Sequence, residues 1–145
     1  MSNSISLIEK EACWEIDVNR GTVTRCLIDN QFTIEVAETD CTLAVVFEGE
    51  FTYTLVEDTN HLREYKLEAM QPNRLYPVLS VLHKSIELVI AYKSGDITVR
   101  FLDGSLLTPT SDPNYESWHV NGADGLLIVC AAGGELAVWL PEHDK

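Results

Sequence analysis

The chain has 145 residues, with 23 Asp and Glu against 10 Lys and Arg, a formal net charge of −13 and 46% hydrophobic residues. A chain of this length buries roughly two thirds of its unfolded surface, so it needs neither disulfides nor metal to fold; its apolar content excludes a disordered acidic tail. The charge argues against nucleic acid as a direct partner, because such binding needs clustered Lys and Arg to displace counterions, and it disfavours anionic membrane surfaces equally.

From the N-terminus, residues 1–11 lack the basic start and apolar core of a secretion signal. No apolar run approaches the ~18–20 residues of a membrane helix. The expectation is one cytoplasmic domain over residues 1–145. Strand-like runs then follow at close spacing: Cys13–Val18, Thr22–Ile28, the alternating Phe32, Ile34 and Val36, then Cys41, Leu43, Val45 and Phe47, then Phe51, Tyr53 and Leu55. Period-2 alternation is the mark of a half-buried strand. These runs read as one meander with an apolar face and a Thr/Glu-rich face carrying Thr33, Glu35, Thr42, Glu50, Thr52 and Thr54.

After His61 the period changes. Leu75, Val78, Leu79 and Leu82 follow i, i+3, i+4, i+7, which predicts one amphipathic helix over about 74–84 with Pro77 in its first turn. Strands resume at Ile86–Tyr92, Ile97–Leu102 and Ser105–Leu107, divided by turn signals at Ser94-Gly95 and Asp103-Gly104. Pro109 and Asp112-Pro113 break the chain before Tyr115–Val120, Leu126–Ala131 and Glu135–Leu140. The fold class expected is mainly β with one helix (α+β), a curved antiparallel sheet wrapped on a single short helix. A two-sheet β-sandwich is the alternative, since short strands with turns every 8–12 residues fit it too.

The residues give little chemistry. Cys13, Cys26, Cys41 and Cys130 contain no C-x-x-C pair and lie in apolar runs, so they read as buried, reduced thiols and not as a metal or redox site. No nucleophile-elbow, phosphate-loop, dinucleotide or H-E-x-x-H motif occurs. Glu116 and His119 stand at i, i+3 in a strand and so point to opposite faces, which argues against an acid–base dyad. Trp14, Trp118 and Trp139 sit among apolar neighbours and read as core. The expectation is no enzyme, no cofactor and no metal.

The acids are segregated. Cys26–Leu62 holds eight acids and no Lys or Arg, and Phe101–Asp144 holds seven acids and again no base. Segregated like charge costs stability and steers basic partners. The first stretch is the predicted partner-binding face, with Glu35, Glu38, Asp40, Glu48, Glu50, Glu57 and Asp58 as its contact residues.

Three blocks in the C-terminal third carry a resemblance: Asp112-Pro113-Asn114-Tyr115-Glu116-Ser117-Trp118, Asn121-Gly122-Ala123-Asp124-Gly125-Leu126, and Gly133-Gly134-Glu135-Leu136-Ala137-Val138-Trp139. Together they look like a family of small bacterial β-rich proteins. That family resembles the immunity proteins of contact-dependent growth inhibition and other toxin systems. The resemblance implies a cytoplasmic immunity protein that binds and neutralises a basic toxin domain, a ribonuclease in the first instance, one-to-one. It carries over no site residue. The alternative is a stand-alone ligand-binding or regulatory β-domain without a toxin partner.

Overall fold

Alternating apolar residues in neighbouring strands must share one side, and the pairing of β4 (Phe32–Glu38) with β5 (Cys41–Phe47) does this: Phe32 faces Phe47, Ile34 faces Val45 and Val36 faces Leu43. The computed structural model describes residues 5–38, 41–58, 60–110 and 117–140, the side chains of residues 38 and 41 excepted. Within them β1 (Ser6–Glu9), β2 (Cys13–Asp17) and β3 (Val23–Ile28) precede this pair. β6 (Phe51–Asp58) and β7 (His61–Leu67) follow it, then β8 (Ile86–Tyr92), β9 (Ile97–Phe101) and β10 (Leu106–Pro109). β11 (Trp118–Gly122), β12 (Leu127–Cys130) and β13 (Leu136–Trp139) complete the chain order.

The strands form two antiparallel sheets, one of seven in the order β1-β2-β8-β9-β10-β6-β7 and one of six in the order β13-β12-β11-β5-β4-β3. The mainly antiparallel β fold is therefore as the sequence predicts, and its arrangement is the two-sheet alternative. The sheets share one hydrophobic core. Phe51 of the larger sheet stacks on Phe32 and Phe47 of the smaller one, at centroid distances of 5.1 and 5.0 Å. Burying each ring contributes roughly 1.5–3 kcal/mol.

The chain crosses between sheets at residues 48–50, and beside this crossing lie Thr110, after β10, and Ser117, before β11. Glu48 N–H donates to Ser117 O at 2.9 Å and Thr110 N–H donates to Glu50 O at 2.8 Å. These two bonds tie the ends of β10 and β11 to the crossing. Beside it, β8–β9–β10 in one sheet and β11–β12–β13 in the other use the same tight turn four times. In each, a residue donates to the carbonyl four positions on and accepts from the glycine three positions on, as Tyr92 does with Asp96 and Gly95. This is a type I turn closed by a glycine bulge. Gly95 and Gly134, one from each sheet, also meet: a Cβ on Gly95 would lie 2.7 Å from Gly134 O. The indole N–H of buried Trp118 and the Cys130 thiol both donate to Gly95 O.

The expected helix is present as two 3-10 turns, Pro72–Arg74 and Tyr76–Val81. The correction has a physical cause. Leu75, Val78 and Val81 are buried while Leu79 and Leu82 are exposed, so the apolar period is three, the repeat of a 3-10 helix. Strands β1 and β7 were not in the sequence reading. Both are edge strands, and β7 carries Arg63, Glu64 and Lys66, which mask its alternation. The thiols also differ: Cys130 is buried, but Cys13 and Cys26 are half-buried. Trp139 is 54% exposed and lies outside the core.

Two outcomes follow from this packing. Gly95→Ala places a Cβ against backbone at a φ of +108°; it should cost more than about 2 kcal/mol, seen as a fall in Tm of about 4–8 °C. Gly49→Ala meets nothing within 4 Å and should change stability by no more than about 1 kcal/mol. Separately, with no disulfide at Cys13, Cys26 or Cys130, thiol titration of the unreduced, denatured protein should count four thiols.

Candidate partner-binding face

Strand alternation gives each residue of the six-stranded sheet an inward or outward side. Two register rows face outward. One runs Trp139, Leu127, Asn121, Ala44, Glu35, Arg25, and the other runs Ala137, Val129, His119, Val46, Thr33, Leu27. Seven of these twelve are apolar, on the side away from the seven-stranded sheet. Ala44 and Val46 are only 8% and 5% exposed, so the accessible apolar part is the β12–β13 end, Leu127, Val129, Ala137 and Trp139; apolar residues grouped in this way mark an interaction site more often than isolated exposed residues do. Trp139 is the largest exposed side chain on it, and exposed Trp is enriched at interface hot spots.

Polar groups interrupt the face at fixed points. His119 Nδ1 lies 3.0 Å from Glu48 Oε2, with side chains only 24% and 19% exposed. Gln31 Nε2 donates to the other Glu48 oxygen at 3.2 Å. Arg25 lies 3.5 Å from Glu35 across the β3–β4 pair. The His119–Glu48 pair was invisible in the sequence because its members are 71 positions apart. Only the β5–β11 register joins them.

The predicted contact residues do not form one face. Glu35 and Glu48 belong to the six-stranded sheet side, Glu50 is exposed in the crossing, and Glu57 and Asp58 end β6 in the other sheet. Thr33 and Glu35 consequently face away from Thr52 and Thr54, on the opposite side of the sandwich. About 23 Å of strand separates Glu50 from Glu57, well beyond the ~8 Å screening length at physiological salt. The side chain of Glu38, and Asp40 altogether, lie outside the described residues. The stretch also recruits cations from beyond itself: Arg63 reaches Glu57 at 3.4 Å, and His61, inside it, holds Asp58 at 2.8 Å. Hydrogen bonds from Asn60 and His61 hold Asp58 below the ordinary carboxylate range.

The most connected polar cluster lies elsewhere, where the second 3-10 helix closes the end of the sandwich. Lys84 Nζ donates to Asp103 Oδ2 at 2.7 Å and to Tyr53 Oη at 3.1 Å, and Tyr53 Oη lies 3.1 Å from Ser80 Oγ. Beside it, Leu55, Tyr65, Tyr76, Pro77, Leu79 and Ser80 line an open groove of about 590 Å³. Ser80 Oγ donates to Pro77 O at 2.9 Å, so the hydroxyl is not poised as a nucleophile. No group of three or more His, Cys, Asp or Glu among the described residues has the geometry of a metal site.

A family model, Family of unknown function (DUF6188), matches residues 14–140. The chain belongs to this family. Comparison with curated proteins and with solved structures returns no match. The DUF6188 match covers both sheets from β2 to β13, so the outer face of the six-stranded sheet and the crossing at residues 48–50 lie within it. The Asn121–Leu126 and Gly133–Trp139 blocks of the C-terminal third are the β11–β12 turn and the last hairpin. Of the Asp112–Trp118 block, residues 112–116 lie outside the described residues. No helix among the described residues is long and apolar enough to cross a membrane.

In this DUF6188 chain the Lys84–Asp103 contact also shifts both partners. Burial draws the Lys84 value down, but hydrogen bonds to Asp103 and Tyr53 outweigh it and leave it above the ordinary one. Burial pushes Asp103 up, but hydrogen bonds from Lys84 and Ser105 outweigh that and hold it below the ordinary carboxylate range. A carboxylate depressed in the folded state contributes stability above its unfolded pKa of about 3.9. That stability is lost as pH falls through the folded value. In thermal melts from pH 6 to pH 2, Asp103→Asn should therefore flatten the acid limb relative to wild type.

Proposed function

We propose that this protein is a cytoplasmic immunity protein, which binds a basic toxin domain of the ribonuclease type one-to-one and blocks it without catalysis. The observation that carries the reading is the outer face of the six-stranded sheet, where exposed Trp139 and the apolar β12–β13 end share one side with the Glu35 and Glu48 carboxylates. An enzyme that holds RNA must be basic. A net charge of −13 raises its rate of encounter with this surface, and the apolar end supplies the desolvated centre that affinity needs.

The test is protection of growing cells against the toxin domain encoded beside this gene, combined with affinity measured on the purified pair. The wild-type chain should restore growth and form a one-to-one complex. Trp139→Ala should weaken that complex by roughly 30-fold, the equivalent of ~2 kcal/mol at a hot spot. Charge reversal of Glu35 and Glu48 to Lys should weaken binding more than the same reversal at Glu57 and Asp58, although both change net charge equally. Equal losses would reduce the interaction to non-specific attraction. A neighbourhood with no toxin gene, or a toxin that this chain does not neutralise, overturns the immunity reading.

A second reading, a stand-alone ligand-binding β-domain, draws support from the groove between Leu55, Tyr65 and Tyr76. Filling it with Ser80→Trp leaves growth protection intact under the first reading.

A further inference from the structure

Each sheet has two edge strands, and they are unequally guarded. β7 carries Arg63, Glu64 and Lys66. β3 carries Arg25 and a bulge between Val23 and Arg25. β1, four residues long like β13, ends in Glu9, which pairs with Lys93 at 2.6 Å. The remaining edge, β13, reads Leu136-Ala137-Val138-Trp139, with no charge, proline or glycine and an unbroken register against β12. Exposed edges are ordinarily blunted by charge, bulges or proline, because an unguarded one is a template for another strand.

The direction of the free backbone follows from the last hairpin. Ala131 N–H donates to Glu135 O at 2.9 Å, which makes that facing pair a hydrogen-bonded one. Such pairs alternate in an antiparallel ladder, so Ala137 and Trp139 bond to β12 while the backbone groups of Leu136 and Val138 point to the side of β13 on which no described strand pairs. The side chains of Ala137 and Trp139 meanwhile project from the outer face already described. The edge and the apolar end are continuous.

We infer that β13 is a docking strand, to which an extended segment of a basic partner protein adds by main-chain hydrogen bonds, enlarging the six-stranded sheet. This rests on the reading of the protein as a binder of a basic partner. Charge selects the occupant. Glu135 adjoins the strand, and the sequence has no Lys or Arg from Phe101 to Asp144. Pairing with a second copy would bring two chains of net charge −13 together on their acidic ends, whereas a strand flanked by Lys or Arg is attracted.

The probe is a synthetic peptide alternating Lys and Val, with a Glu–Val peptide as control, and the readout is amide hydrogen exchange in the full chain. Exchange at Leu136 and Val138 should slow at least tenfold with the Lys–Val peptide and not with the control. Val138→Pro removes the outward N–H and should abolish the effect. Val138→Ala loses packing but keeps the donor, and should retain the effect. Unchanged exchange at these two amides, equal slowing by the Glu–Val peptide, slowing at the β3 or β7 edge instead, or a dimer in the peptide-free protein would each overturn the inference. The two proposals fail separately. Slowed exchange without toxin neutralisation leaves strand addition standing and removes the immunity role. Neutralisation that survives Val138→Pro, with no peptide effect, does the reverse.

Discussion

Phe51 held between Phe32 and Phe47 is the contact on which the rest of the molecule depends. It lies where the chain passes from one sheet to the other, so the three rings set both the spacing of the layers and the direction in which each layer faces. Once Phe47 points inward, alternation sends Val46 and Ala44 outward, and the ladder carries that choice across to His119, Val129 and Ala137 on one side and Thr33 on the other. A register slip of one residue would invert every one of these positions. The outer face is therefore a consequence of core packing and cannot be altered independently of it.

Charge follows the same geometry. Along the sequence the acids look segregated, but strands bring distant residues together, and Arg25, Arg63 and His119 arrive beside Glu35, Glu57 and Glu48 through pairing. The exposed Arg25–Glu35 and Arg63–Glu57 pairs are worth little individually, roughly 0–1 kcal/mol. Their effect is to leave the surplus negative charge spread over the molecule and not concentrated in one patch. Under the proposed function, a diffuse field of this kind favours encounter, and the exposed apolar end of one sheet is where an encounter would become a complex.

What was legible in the sequence was local. The four hairpin turns declared themselves through glycine, and the strands of the two meanders through alternation. The division into two sheets was not legible, because β5 and β6 alternate in the same way whether the chain between them turns within one sheet or crosses to another. The 3-10 helix was misread for a related reason: Leu79 and Leu82 complete a helical stripe on paper, and only the buried Val81 shows that the period is three. Edge strand β7 was hidden by its own protective charges. His119 and Glu48 needed the β5–β11 register, which no local pattern encodes. Trp139 was assigned to the core from its apolar neighbours, and its register position shows it on the surface.

The repeated turn has a kinetic meaning as well. Gly95 and Gly104 stand nine residues apart, as do Gly125 and Gly134, so the chain contains two three-stranded units built to one pattern, one per layer. Each can form from neighbouring residues alone, on the ~1–10 μs scale of a hairpin. The pairings that tie each unit into its own sheet, β2 with β8 and β5 with β11, close loops of more than fifty residues and pay the entropy of long-range contact. The β3–β4–β5 and β6–β7 pairings are equally local. The ring cluster draws on residues 32–51 alone, so the contact that sets the spacing of the layers is itself within early reach, and the slow step left to the chain is the pairing of its distant strands.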